Sequence, residues 1–244
     1  MQFKFFIFLV IIISACSKND PQQIIDKAIE VAGGEKFLHS TIEFDFRGRH
    51  YVSTRDGGKY LYERIFKNDK DSSQTIHDFL SNDGFIRKIN DTTVQVPDSM
   101  AVKYTSSVNS VIYFALLPYG LNDSSVKKKF LGETKMNGEE YYKIEITFSQ
   151  HGGGEDYQDV FNYWINKSDF TIGFISYSYE EDDGIGYRLR KAYNQRKVNG
   201  VLFSDYINYA PTGKEKLEEL ETLYKNNQLK ELSKIENTNI QVKP

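Results

Sequence analysis

The chain has 244 residues, with 31 lysines and arginines set against 34 aspartates and glutamates, a formal net charge of −3. A faintly acidic chain lacks the basic footprint that nucleic-acid binding requires, and a single cysteine excludes a disulfide framework. Aromatic residues reach 14%, almost all Phe and Tyr, and such side chains suit half-buried strands, so a β-rich chain is expected.

The N-terminus reads MQFKFFIFLVIIISACSKND. Lys4 gives it a positive start and residues 5–13 an apolar run. Crossing a hydrocarbon core as a helix takes roughly 20 residues, so this shorter run reads as the core of a secretory signal. Small Ser14 and Ala15 precede Cys16, and the ISAC ending resembles a bacterial lipobox. That resemblance implies cleavage after Ala15 and acylation of Cys16. Each buried acyl CH₂ contributes about 0.8 kcal/mol, so two or three chains make a firm anchor. The expected organisation is a cleaved signal peptide over residues 1–15, a lipidated tether over 16–20 and one domain over 21–244. Removing the signal takes away Lys4 and no acid, so the net charge moves from −3 to −4.

The tether runs into a helix. Asp20 is placed to cap it, Pro21 fits its first position and Gln23 completes a capping box. Ile24, Ile25, Ala28, Ile29 and Ala32 form one apolar face, and Gly33-Gly34 ends the segment. Strand patterns follow. In TIEFDFRGRHYV, Ile42, Phe44 and Phe46 alternate with Glu43, Asp45 and Arg47. A turn at residues 55–58 leads to the return strand KYLYERIF, and QTIHDFL and GFIRKI make another pair. Residues 98–117 carry apolar side chains at helical spacing and end in VIYFALL, a stretch greasy enough to need burial. A strand meander then follows, with Asn137-Gly138 and Asn199-Gly200 as hairpin turns. Leu217, Leu220, Leu223 and Tyr224 predict a short helix. The last segment, LKELSKIENTNIQV, reads as one more edge strand.

Three stretches carry a family likeness: residues 24–49 (IIDKAIEVAGGEKFLHSTIEFDFRGR), 114–123 (FALLPYGLND) and 137–149 (NGEEYYKIEITFS). In this order they resemble the LolA/LolB-like outer-membrane lipoprotein carrier superfamily, and within it Bacteroidota-type lipoproteins. The resemblance implies a β-rich α+β fold, an incomplete barrel of curved antiparallel sheet covered on its concave face by helices. It also implies a cavity that takes acyl chains. Many alternating strands with few helices point to the same curved sheet. The candidate lining residues are Phe44, Phe46, Tyr60, Tyr62, Tyr142, Ile144 and Ile146 from strands, with Val111, Phe114 and Leu117 from the central helix. Plain core packing is the competing reading for each of them. Carriers in transit are soluble, whereas an anchored chain fits a receptor or a static lipoprotein.

Catalytic chemistry is weighed mainly at SQHGGGEDYQD, residues 149–159. An HGGG run serves as an oxyanion hole where a G-x-S-x-G elbow supplies the nucleophile, and no such elbow occurs in the sequence. His151, Glu155, Asp156 and Asp159 offer one nitrogen and three carboxylates. A metal on His151, Glu155 and Asp159 is therefore one alternative, and a polar loop between two strands is the other. Arg188 and Arg190 share a strand face and would bind an anion or pair with acids on a neighbouring strand, the latter being preferred. Lys127, Lys128 and Lys129 read as a solvated face.

The leading expectation is a non-catalytic, lipid-anchored lipoprotein of the outer membrane, more on its periplasmic than its outer face. It binds an acyl chain, lipid or lipoprotein, uses no cofactor, meets no nucleic acid and is monomeric. The alternatives are a structural or protein-interaction lipoprotein with a filled core, and a metal-dependent enzyme centred on His151.

Overall fold

The computed structural model describes residues 19–151, 157–181 and 184–244, so the signal segment, Cys16, Glu155 and Asp156 lie outside it. Helix α1 (Pro21–Ala32) begins with the expected Asp20 cap and with Pro21 in its first turn. The Asp20 carboxylate accepts from the Gln22 N–H at 3.0 Å, and Gly33 closes the helix at φ 152°. Its buried face is Ile24, Ile25, Ala28 and Ala32.

Among the described residues fourteen strands form two antiparallel sheets of seven, not closed into a barrel. In the first sheet β1 (Thr41–Phe46), β2 (Arg49–Asp56), β3 (Lys59–Asn68), β4 (Asp71–Ser81), β5 (Gly84–Ile89) and β6 (Thr92–Val94) follow one another in space as in sequence. The second sheet is a meander of β7 (Val126–Met136), β8 (Glu139–Phe148), β9 (Phe161–Asn166), β10 (Ile172–Glu181), β11 (Gly184–Val198), β12 (Val201–Ala210) and β13 (Lys230–Ile235). The chain then leaves the second sheet, and β14 (Thr238–Lys243) pairs with β1 at the far edge of the first. Helix α2 (Asp98–Ala115) connects the two halves of the sequence.

Two segments differ from expectation. TIEFDFRGRHYV is a hairpin rather than one strand. It turns at Arg47-Gly48, both at positive φ (49° and 72°). An arginine in the left-handed region is uncommon, so no turn signal marked the place. The C-terminal segment is two strands in different sheets, not one edge strand. The expected Asn-Gly turns are present, with Asn137 at φ 51° and Asn199 at φ 50°.

Asp205 fixes the passage from β13 to β14. It is 2% exposed and pairs with Arg196 at 3.0 Å. It also accepts from the Asn194 side chain at 2.7 Å and from the Asn237 N–H at 3.1 Å. Asn194 sits at φ 48° in a β11 bulge, which aims its amide at the carboxylate. Arg196 in turn donates to the Asn237 carbonyl. One buried anion thus ties three backbone segments at the seam between the sheets.

The core has three parts. Helix α1 packs on the concave side of the second sheet with Ile144, Ile146, Tyr163, Ile165 and Ile175. Helix α2 packs on the first sheet through Val108 and Ile112, against Phe44, Tyr51, Tyr62 and Leu80. On the convex side of the second sheet, a 3₁₀ turn and α3 (Leu220–Lys225) cover Trp164, Phe174 and Leu189. Covering both faces explains why all six residues of β9 are buried. Each fully buried Leu, Ile or Phe contributes roughly 1.5–3 kcal/mol.

Helix α3 is held by Glu221, which accepts from Lys225 (2.7 Å), Thr134 and Lys143 (2.9 Å). Burial would raise its pKa, but these hydrogen bonds outweigh burial and bring it down from 4.5 to about 2. A depressed carboxylate pKa stabilises the fold above its ordinary value, and that stability is lost as pH falls through the folded value. Glu221→Gln is expected to lower the unfolding free energy by about 2–3 kcal/mol at pH 7. In urea titrations the deficit should shrink steadily as the pH is lowered from 4.5 towards about 2. Asp205→Ala leaves Arg196 without its carboxylate and frees the sheet junction. The expected loss is about 3 kcal/mol, read from the same denaturation curves.

Candidate functional site

Because the sheets do not close, α2 has to fill the space between their concave faces. It is fastened to the first sheet by a buried ionic group. Asp78 on β4 is fully buried and accepts from Arg64 on β3 at 2.6 and 2.9 Å and from Arg87 on β5 at 2.6 and 3.0 Å. Arg64 reaches on to the Ser107 hydroxyl of α2 at 2.8 Å, and the Arg87 guanidinium lies 3.7 Å from the centre of the Tyr104 ring of α2. One carboxylate thus orients two guanidinium groups, and each grips the helix.

The far end of α2 meets the second sheet through rings. The Phe114 ring lies 5.4 Å from Tyr177 and 6.1 Å from Phe161, and these two stack on each other at 5.2 Å. Phe148 meets Phe161 edge-on at 5.9 Å. The Tyr113 hydroxyl is 3.1 Å from that of Tyr163. Burial pushes both phenols above the ordinary tyrosine range, so both stay neutral at physiological pH.

Between these attachments the helix leaves a chamber of about 900 Å³. Tyr60, Tyr62 and Phe85 of the first sheet line one side, and Phe148, Phe161, Tyr177 and Tyr179 of the second line the other. Helix α2 contributes a polar stripe, Thr105, Ser106, Asn109 and Ser110, beside Tyr113 and Phe114. Tyr179 owes its position to Gly186, its direct partner on β11. A Cβ built there would stand 2.5 Å from the Tyr179 ring. The tyrosine thus lies over a bare backbone, an aromatic covering a strand glycine.

Two arginines stand among these rings. Arg55, on β2, lines the chamber and lies 4.6 Å from the centre of the Tyr119 ring and 5.2 Å from that of Tyr62. It donates to the hydroxyls of both. Arg190, on β11, lies 3.8 Å over the Phe114 ring and donates to the Tyr177 hydroxyl at 2.8 Å. The expectation that Arg190 pairs with acids on a neighbouring strand is overturned. Its cross-strand neighbours are Ile175 and Asn208, and among the described residues it forms no ion pair. Asp123 also lines the chamber. Desolvation by the surrounding protein raises its pKa, while Arg55 and Lys128 pull the other way.

Of the residues proposed as lining, the structure brings Tyr60, Tyr62 and Phe114 to the chamber wall. Phe44, Ile144, Ile146 and Leu117 are buried in the cores, and Phe46, Val111 and Tyr142 pack against them. Sequence reasoning missed Arg55, Phe148, Phe161, Tyr177 and Tyr179. The last two had a signal, alternating tyrosines in SYSYE beside a glycine-rich partner strand. His151 is exposed and Asp159 lines the chamber, while Glu155 lies outside the described residues. Among the described residues no group of three potential metal ligands occurs. The arrangement offers aromatic contact surface, hydroxyls and one lining guanidinium, which suits holding an apolar or amphiphilic molecule.

A family model described as a family of unknown function, DUF6503, matches residues 2–237. The chain belongs to this family. No curated protein sequence matches it. Among solved structures, a DUF1329 family protein from Desulfovibrio piger is similar at 12% identity, over 91% of this chain and 93% of that one, with a TM-score of 0.50. A LolA superfamily protein from Nitrosomonas europaea is similar at 12% identity over 91% and 92%, with a TM-score of 0.48. At such identity the likeness to the DUF1329 family protein is one of fold. The DUF6503 chain has the β-rich, unclosed antiparallel architecture that the three sequence stretches implied.

Phe114→Ala would remove the ring that joins α2 to Arg190, Phe161 and Tyr177. The expected cost is about 2–3 kcal/mol of unfolding free energy, measured by urea denaturation.

Proposed function

We propose that this DUF6503 chain is a lipid-anchored, non-catalytic protein of the cell envelope that holds an acyl chain, a lipid or a lipoprotein's acyl group in the chamber beneath α2. One observation carries the reading: a space of about 900 Å³ walled by rings from both sheets and from α2. Ligand pockets span about 300–1,000 Å³ and are mostly apolar with a few placed polar groups, and this chamber fits that description. The lipobox-like ISAC before residue 17 supports anchoring through Cys16 to the outer membrane, on its periplasmic face. Residues 21–244 act in this reading as one domain and as a monomer, with the membrane as neighbour and no nucleic-acid partner.

The experiment is native mass spectrometry of full-length protein released gently from membranes. A bound mass in the lipid range is expected. Asn109→Trp places an indole in the chamber without deleting a packed side chain. It should remove most of the bound mass while changing the unfolding free energy by less than about 1 kcal/mol, as surface changes ordinarily do. Ligand-free wild type that also takes up no acyl probe would end the reading and favour a protein-interaction role, which cross-linking on intact cells would then report.

A further inference from the structure

Arg55 is the lining residue that a purely apolar ligand leaves unexplained. A guanidinium carries five N–H donors. Arg55 spends two on the hydroxyls of Tyr119 and Tyr62. Its Nε is buried and has no hydrogen-bond partner. Among the described residues no carboxylate stands within ion-pair distance of it, although Lys and Arg pair with acids at several other places among them. Asp78 is given to Arg64 and Arg87, and Arg190, which like Arg55 has no acid partner among the described residues, does not line the chamber. A cation packed among three tyrosine rings, with donors unspent, is costly to keep without an anion.

The rings fix the geometry. Tyr60, Tyr62 and Tyr119 surround the guanidinium at 5.7, 5.2 and 4.6 Å. Tyr119 is itself braced by Phe37 at 5.2 Å, a ring 1% exposed. The group is thus held in place at the chamber wall. The opposite wall, Phe148, Phe161 and Tyr177, carries no charge. Asp123 and Asp159 are the acids that line the same chamber. Asp123 feels the Arg55 charge without an ion-pair contact, and desolvation raises its pKa while Arg55 and Lys128 pull it down.

We propose that the chamber selects an acyl chain bearing an oxyanion head, a carboxylate or a phosphate, with the head on Arg55 and the chain along Phe148, Phe161 and Tyr177. This rests on the ligand-binding reading above and narrows it from any apolar molecule to an anionic amphiphile. Two donors of one guanidinium match two oxygens of either head, which a hydroxyl or ester cannot reproduce.

The test uses the full-length chain in neutral detergent and measures displacement of a fluorescent acyl probe by palmitate, lysophosphatidate and hexadecanol. Wild type should bind at least one of the two anions roughly tenfold or more tightly than the alcohol. Whichever anion binds tighter identifies the head. Arg55→Gln should abolish that preference while keeping the affinity for hexadecanol, which also reports that the variant is folded. Arg55→Lys should restore part of it. Equal affinity of wild type for acid and alcohol, or an anion preference that survives Arg55→Gln, would overturn the proposal and leave the apolar chamber standing. Failure of all three compounds to bind wild type would remove both the proposal and the reading it rests on.

Discussion

The structure depends on how α2 is wedged between two sheets that never close. Each sheet presents a concave apolar face, and an open sheet must bury such a face against something. Helix α1 does this for the second sheet with a conventional apolar stripe. Helix α2 serves the first sheet with Val108 and Ile112 and the second with Tyr113 and Phe114, leaving its polar stripe over a void. The chamber is the consequence of asking one helix of 18 residues to satisfy two diverging surfaces.

The two attachments of α2 differ in chemistry. On the first sheet a fully buried carboxylate splays two arginines onto Ser107 and Tyr104. Such a group is directional, and it falls apart when one member is removed. On the second sheet the contact is made by rings of Phe114, Phe161 and Tyr177 with Arg190 beneath, a surface tolerant of small displacements. The helix is therefore pinned at one side and cushioned at the other. The seam at Asp205 closes the architecture from the opposite edge, because β13 and β14 belong to different sheets and the chain between them is gripped by one anion. The exposed β7 edge of the second sheet carries Lys127 and Lys129 outward, a common guard against edge pairing.

Much of the fold was legible in the sequence, because its signals are local. The capped start and glycine stop of α1, the Asn-Gly hairpins and the period of α2 each depend on a few adjacent residues. Where the signal was missing the reading failed. Arg47-Gly48 turns a hairpin with a residue that ordinarily avoids positive φ, and the split of the last segment is set by Asp205, far away in sequence. The site was less legible. Alternation says that Phe44, Ile144 and Ile146 face inward, and they do. It cannot say whether the space they face is filled, since that depends on how far apart the sheets lie.

The sequence by itself determined the strand-rich class, the helix positions, the turn chemistry and the inward faces, since each follows from propensity and periodicity along a short stretch. Only the tertiary structure decided which rings meet a void, that Arg190 lies on Phe114 rather than beside an acid, and that Tyr119 from the turn after α2 meets Arg55 and its hairpin neighbours Tyr60 and Tyr62. Tyr119 joins Tyr60 and Tyr62 around it only once the first sheet has curled against the turn after α2. Packing brings those groups together, and no pattern along the chain encodes that distance.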